Sequence, residues 1–287
     1  MSPPERDSIE VVLESKVEAV LESMLGRLLR VERLASGTTG TSYVVETKAG
    51  RVAAKLFAAD SQSLLGPEPQ HALLELLAET GIAPRPLGFN AEVRLLVTEY
   101  LGEAAPVAPE VIRSGERVAD LVAGLRQLHR ELANVPRFDP AADAARYLES
   151  IGGVSSLGRR DRDRFDELLE LAGSLGPGAS LEPGAVLCHN DLVASNLLFD
   201  HRLRFIDFDY AVLAAPALDL ASVTVMNDFS DVEAARLLEA YYDGAGPLSL
   251  AEFARVQRLV RLLAHFWALA SANASAAIVG QYRIRHD

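Results

Sequence analysis

The 287-residue sequence predicts an α+β fold of two lobes, residues 1–100 forming a small sheet-bearing lobe and residues 101–287 a larger, mainly helical one. Three observations predict it. Apolar alternation marks three strands, a helix and two more strands before Tyr100; apolar spacing of three and four residues takes over from about residue 114; and one β-rich segment, 186–210, interrupts the helical pattern.

In chain order, residues 8–30 place Val11, Leu13, Val17, Val20, Leu21, Met24, Leu28 and Leu29 on one helical face. VERLASGTTGTSYVVETKAGRVAAKLF then reads as strand, Gly/Thr turn, strand, Lys-Ala-Gly hairpin and third strand. Leu73, Leu74 and Leu77 mark a helix over 68–80, closed by Gly81 and followed by Pro84 and Pro86. Short strands over 86–89 and 94–99 complete the small lobe. In the second lobe Val118, Leu121, Val122, Leu125, Leu128 and His129 share a helix face, and further helices are expected over 140–152, 159–175, 230–243 and 249–275. SLGPGASLEPGA (174–185) is a loop, and 186–210 forms short strands with a hairpin.

Composition narrows the function. Twenty-eight Lys+Arg stand against 40 Asp+Glu, a net charge of −12, so no basic field exists to draw in nucleic acid or an anionic membrane. The lone Cys188 makes neither an intrachain disulfide nor a zinc-type cysteine cluster, and is expected to be buried and inert. The start, MSPPERDSIE, lacks a basic and then apolar leader, and the most apolar stretch, 259–280, is broken by Arg261, His265 and Asn273. A cytoplasmic globular protein is expected.

The chemistry concentrates in CHNDLVASNLLFDHRLRFIDFDY. Asp191 and Asn196 lie five apart, and Asp207 and Asp209 follow in the next hairpin. If a strand runs from Phe205 to Asp209, Ile206 and Phe208 face the core while Asp207 and Asp209 face the opposite way. Two carboxylates and a carboxamide in this order provide hard oxygens for Mg²⁺ and a spare base to orient an attacking hydroxyl. Singly, each residue is an ordinary turn former; together, between apolar strands, they point to a site.

HND-LVAS-N, then FIDFDYA and PALDLA, resembles the catalytic core of the aminoglycoside phosphotransferase and choline/thiamine kinase superfamily, over roughly residues 31–225. The resemblance implies a protein-kinase-like fold and phosphorylation of small-molecule hydroxyls. It implies Asp191 as catalytic base, Asn196 and Asp207 as Mg²⁺ ligands, His189 as a neighbour of the loop and Asp219 as its support. Asp209 is a weaker site candidate, a solvated strand-end acid being the alternative. The donor is expected to be ATP or GTP. Lys55, opposite in face to Val52, Ala54 and Leu56, would neutralise its phosphates, and SGTTGTSY, with Ser36, Gly37, Thr38 and Thr39, resembles the loop that positions it. RLLVTEYLG resembles the hinge, with the Thr98 carbonyl and Tyr100 amide reading the base and Val97 behind it.

One departure is evident. The position from which the family's lysine usually draws a glutamate partner holds Gln70, and Glu68 lies two residues earlier; either is a candidate. His129, His265 and Trp267 read as core, the last two also as pocket wall. Residues 181–230 carry two arginines against seven acids, a balance of −5 that favours a cationic small-molecule acceptor. FIDFDYA and RFDP…ARYL lean toward choline- or thiamine-kinase-like members. The competing readings are a protein kinase, disfavoured by D-F-D in place of D-F-G and the lack of A-P-E after it, a metallohydrolase, which leaves Lys55 unexplained, and a nucleotide-binding pseudoenzyme.

Overall fold

A computed structural model describes residues 14–36, 39–59, 62–102, 104–115, 117–175 and 184–271. The chain divides into two compact units, Met1–Gly102 and Glu103–Asp287.

In the first unit, helix α1 (Ser15–Leu25) precedes β1 (Leu28–Ser36), β2 (Gly40–Thr47) and β3 (Gly50–Phe57). Helix α2 (Pro67–Ala78), β4 (Pro86–Asn90) and β5 (Leu95–Glu99) follow. The sheet is antiparallel, in the order β1-β2-β3-β5-β4. Thr47 closes the β2–β3 hairpin, its hydroxyl donating to the Gly50 carbonyl and accepting from the Ala49 amide. Val17 and Leu21 of α1 pack on Val31, Tyr43, Val45, Ala54, Leu95 and Val97, which alternation puts on one sheet face. The structure corrects the helix expected over residues 8–30: Gly26, at φ +78°, stops α1, and Leu28 and Leu29 open β1. Its residues 8–13 lie outside the described residues.

The second unit opens with β6 (Ala105–Pro106), α3 (Pro109–Arg113), α4 (Val118–Leu128), α5 (Pro140–Ile151) and α6 (Arg159–Leu175). Short strands β7 (Val186–Cys188), β8 (Leu197–Phe199), β9 (Leu203–Phe205) and β10 (Val212–Ala214) flank the segments that carry the polar constellation. They form two small sheets, β10-β7 and β6-β8-β9. Helices α7 (Ala217–Met226), α8 (Asp231–Tyr242) and α9 (Leu250–Ala270) follow. Their starts are legible locally: Asp139 caps α5 ahead of Pro140, and Ser230–Glu233 and Ser249–Glu252 form capping boxes on α8 and α9. Helix α9 packs on α5, α6 and α7; the expected residues 272–275 of this helix lie outside the described residues.

The expected strand from Phe205 to Asp209 is also corrected. Strand β9 ends at Phe205, and Asp207 takes φ +67°, a left-handed conformation that breaks side-chain alternation. Phe208 and Asp209 are therefore both buried, each 1% exposed, rather than on opposite faces.

Candidate active site

The loop after β7 is held by its backbone. Asp219, in the first turn of α7 and fully buried, accepts the Asn190 amide on Oδ1 at 2.8 Å and the His189 amide on Oδ2 at 2.9 Å. Further along α7, Ser222 Oγ accepts the Leu192 amide at 3.1 Å, and Asn227, just past the helix, donates Nδ2 to the Leu192 carbonyl at 2.8 Å. Asn190 turns the chain through a left-handed conformation, φ +63°, which asparagine tolerates, and its Nδ2 donates to the Tyr210 carbonyl at 3.3 Å. Asp191 is thereby presented from a backbone tied on both sides.

His189 links the two acid-bearing segments. Its Nε2 donates to the Ile206 carbonyl at 2.9 Å and its Nδ1 accepts the Asp191 amide at 3.3 Å, so the ring is the neutral Nε2–H tautomer. Burial, the largest influence, lowers its pKa despite the nearby charges of Asp219 and Asp209. One imidazole thus spans from the residue before Asp207 to Asp191 itself.

Asn196 is 7% exposed and gives its Nδ2 to Asp191 twice, to the backbone carbonyl at 2.9 Å and to Oδ2 at 3.0 Å. The amide hydrogens being spent on Asp191, Oδ1 is the atom that Asn196 can offer a cation. Asp207 is half-buried on its kinked backbone. Asp209 is not a solvated strand-end acid: it is buried, and its charge acts on His189 and Tyr210.

A second group of residues comes from three distant segments, and the charge of Asp191 reaches two of them, Tyr147 and Tyr210. Trp267 of α9 donates Nε1 to the Tyr210 hydroxyl at 2.7 Å. Burial, more than any other influence, raises the pKa of Tyr210 and of Tyr147 on α5, and the charge of Asp191 adds to both. Beside Tyr147, Asp143 and Arg146 pair at 2.8 Å, and burial raises the Asp143 pKa from its ordinary value. Nothing in the sequence joins ARYL to Trp267: 120 residues separate Tyr147 from Trp267, and packing links both to Tyr210.

In the first unit, Lys55 pairs in register with Ser42 and Leu96, its Nζ 4.9 Å from the Phe57 ring centroid. Of the loop residues, Gly37 and Thr38 lie outside the described residues; Ser36 ends β1, and Thr39 is buried, its carbonyl accepting the Ala58 amide at 3.0 Å. Gln70 is 2% exposed and donates Nε2 to the Leu65 carbonyl at 3.0 Å, whereas Glu68 lies exposed in the first turn of α2. Thr98 sits within β5 between Ala53 and Pro86, and Tyr100 follows the strand under the Arg51 guanidinium, 5.0 Å from its ring centroid. Val97 does not share the Lys55 face; it is in the α1-facing core, and Leu96 takes the position beside Lys55.

The sheet-and-helix unit, the helical unit with its β-borne acids, and the matched sequence define a class. The phosphotransferase enzyme family model matches residues 30–267, and the chain belongs to this family. Its sequence is 36% identical over 179 residues to protein LicA of Haemophilus influenzae, covering 58% of this chain and 65% of that protein. A second LicA of that species is matched over 51% of its length, so the chain spans half to two thirds of the curated relatives it matches. Choline kinase LicA from Streptococcus pneumoniae shares the fold with a TM-score of 0.79, at 22% identity over 93% of this chain and 95% of that one. LicA in complex with AMP aligns with a TM-score of 0.78, also at 22% identity, over 94% and 95%. No described helix is long and apolar enough to cross a membrane.

Proposed function

We propose that the chain transfers the γ-phosphoryl group of ATP or GTP to the hydroxyl of a small cationic molecule, of the aminoglycoside, amino-sugar, choline or thiamine kind. The observation that carries the chemistry is the division of labour between Asn196 and Asp191. The carboxamide hydrogens hold the Asp191 carboxylate, and the carboxamide oxygen remains for a metal.

The donor set suits Mg²⁺, since Asn196 Oδ1 and the Asp207 carboxylate are hard oxygens and nucleotide phosphates and water complete such a shell. Mg²⁺ there would neutralise charge on the phosphates being transferred. Lys55 would offer an ammonium, and Ser36, Gly37, Thr38 and Thr39 amides and hydroxyls, to phosphate oxygens of the donor. Thr98 and Tyr100 remain the proposed contacts of the base. Asp191 orients the acceptor hydroxyl and takes its proton as the acceptor oxygen bonds to phosphorus and the β–γ bridging bond breaks, releasing ADP or GDP.

The cationic acceptor is supported by the surroundings of Asp191. The charge of Asp191 reaches Tyr147 and Tyr210, and Trp267 is hydrogen-bonded to Tyr210, so rings and acids share a neighbourhood of the kind that attracts a quaternary or primary ammonium. The structural likeness to choline kinase LicA from Streptococcus pneumoniae points the same way. The test is nucleoside diphosphate release over a panel of amino alcohols, thiamine, amino sugars and aminoglycosides, with ATP and with GTP. Acceptor-dependent release for at least one cationic alcohol is expected. Nucleotide binding without turnover for any acceptor would leave a pseudoenzyme instead.

A further inference from the structure

We infer that Tyr241, on α8, is a positioning residue for the catalytic loop, acting through His129 and Asp219. The Tyr241 hydroxyl lies 2.6 Å from His129 Nδ1, and His129 Nε2 lies 3.0 Å from Asp219 Oδ2. That oxygen also accepts the His189 amide, and its twin accepts the Asn190 amide. The path from Tyr241 therefore ends on the two residues that precede Asp191.

Proton inventory gives the path a direction. A carboxylate only accepts, so His129 carries its hydrogen on Nε2. In the neutral ring, Nδ1 is then a buried lone pair, and the Tyr241 hydroxyl is the donor that satisfies it. All three residues are buried, Asp219 completely, so water does not readily replace a missing partner. Helix α4 fixes Tyr241 from both ends: Arg126 donates Nε to the Tyr241 carbonyl at 3.0 Å, and His129, one turn later, takes the hydroxyl. The two rings meet edge-on, with centroids 5.6 Å apart, so phenylalanine would preserve the packing and remove only the donor. Without it, the imidazole loses the bond that aims Nε2–H at Asp219, and the carboxylate that clamps the loop loses a fixed partner. The displacement falls on Asp191 and spares the nucleotide contacts.

The kinetic arm of the test rests on the phosphotransferase reading; the spectroscopic arm does not. In the full chain, Tyr241→Phe is expected to lower kcat by about three- to tenfold, the worth of one net hydrogen bond. KM for nucleotide and for acceptor should stay within about twofold, a split that general loosening would not give. In a His129→Gln background the same change should alter kcat by less than about twofold, because residues acting in series are not additive. Unchanged kcat in Tyr241→Phe, or a full additional loss in the His129→Gln background, would overturn the proposal. Histidine ¹⁵N spectra of the unmodified protein read the ring without any turnover. An Nε2–H ring with a hydrogen-bonded, unprotonated Nδ1 is expected for His129, and a proton on Nδ1, in an Nδ1–H tautomer or an imidazolium, refutes the path even if neither variant folds.

Discussion

Asp191 and Asn196 are tied together by two hydrogen bonds from a single amide nitrogen, and this coupling decides how their loss should look. Asp191→Asn removes the proposed proton acceptor but not the shape of the loop. A fall of ~10²–10⁴ in kcat is expected, with nucleotide affinity measured by calorimetry within a few fold; a folded variant that turns over normally would take Asp191 out of its role. Asn196→Ala and Asp207→Ala each remove a hard oxygen, so the Mg²⁺ concentration for half-maximal rate should rise in both. An unchanged Mg²⁺ titration in the pair would remove the metal assignment. These residues were legible because each stands in a short motif with fixed neighbours. The burial of Asp209 was not, since it follows from the left-handed turn at Asp207, which the alternating pattern around it conceals. The grouping of Tyr147, Tyr210 and Trp267 was illegible for a different reason: no local rule links α5, the segment after β9 and α9.

At the scale of elements, the sheet was readable from alternation and turn residues, and its five strands and α2 occupy the expected stretches. Helix α7 was not read, and its composition explains why. Residues 217–225 are all buried, so no polar face is left to reveal a helical period, and the one acid among them, Asp219, is spent on the loop. Gly40 shows how tightly the start of β2 is packed: a Cβ there would lie 2.3 Å from the Leu56 carbonyl oxygen. Gly40→Ala must displace β3 or the preceding loop, so a loss of about 1–3 kcal/mol in stability is expected. A raised nucleotide KM should accompany it if that loop positions phosphates. Thermal melts and initial rates check the two parts separately, and a variant as stable as the parent would mean that the strands shift apart at no cost.

For the whole molecule, pH and charge are the relevant variables. His189 is neutral and buried, with its pKa below the ordinary 6.5, so the unfolded chain takes up a proton that the folded chain refuses. Its contribution is fully present above pH 6.5 and is lost as pH falls toward the lower folded value. Melting temperatures should drop between about pH 7.5 and 5.5, and by less in His189→Gln; equal drops in the two would mean that other groups govern this range. The net charge of −12, with −5 of it from residues 181–230, is the field on which the proposed cationic acceptor rests. The most direct measurement compares an ammonium alcohol with its neutral isostere, choline against 3,3-dimethyl-1-butanol, at low and high salt. Recognition by aromatic faces and carboxylates predicts kcat/KM at least ~30-fold higher for the cation, the worth of ~2 kcal/mol of desolvated cation–π attraction. It also predicts that this advantage shrinks as salt screens the field. Equal turnover of the two alcohols, insensitive to salt, would contradict a cationic acceptor site.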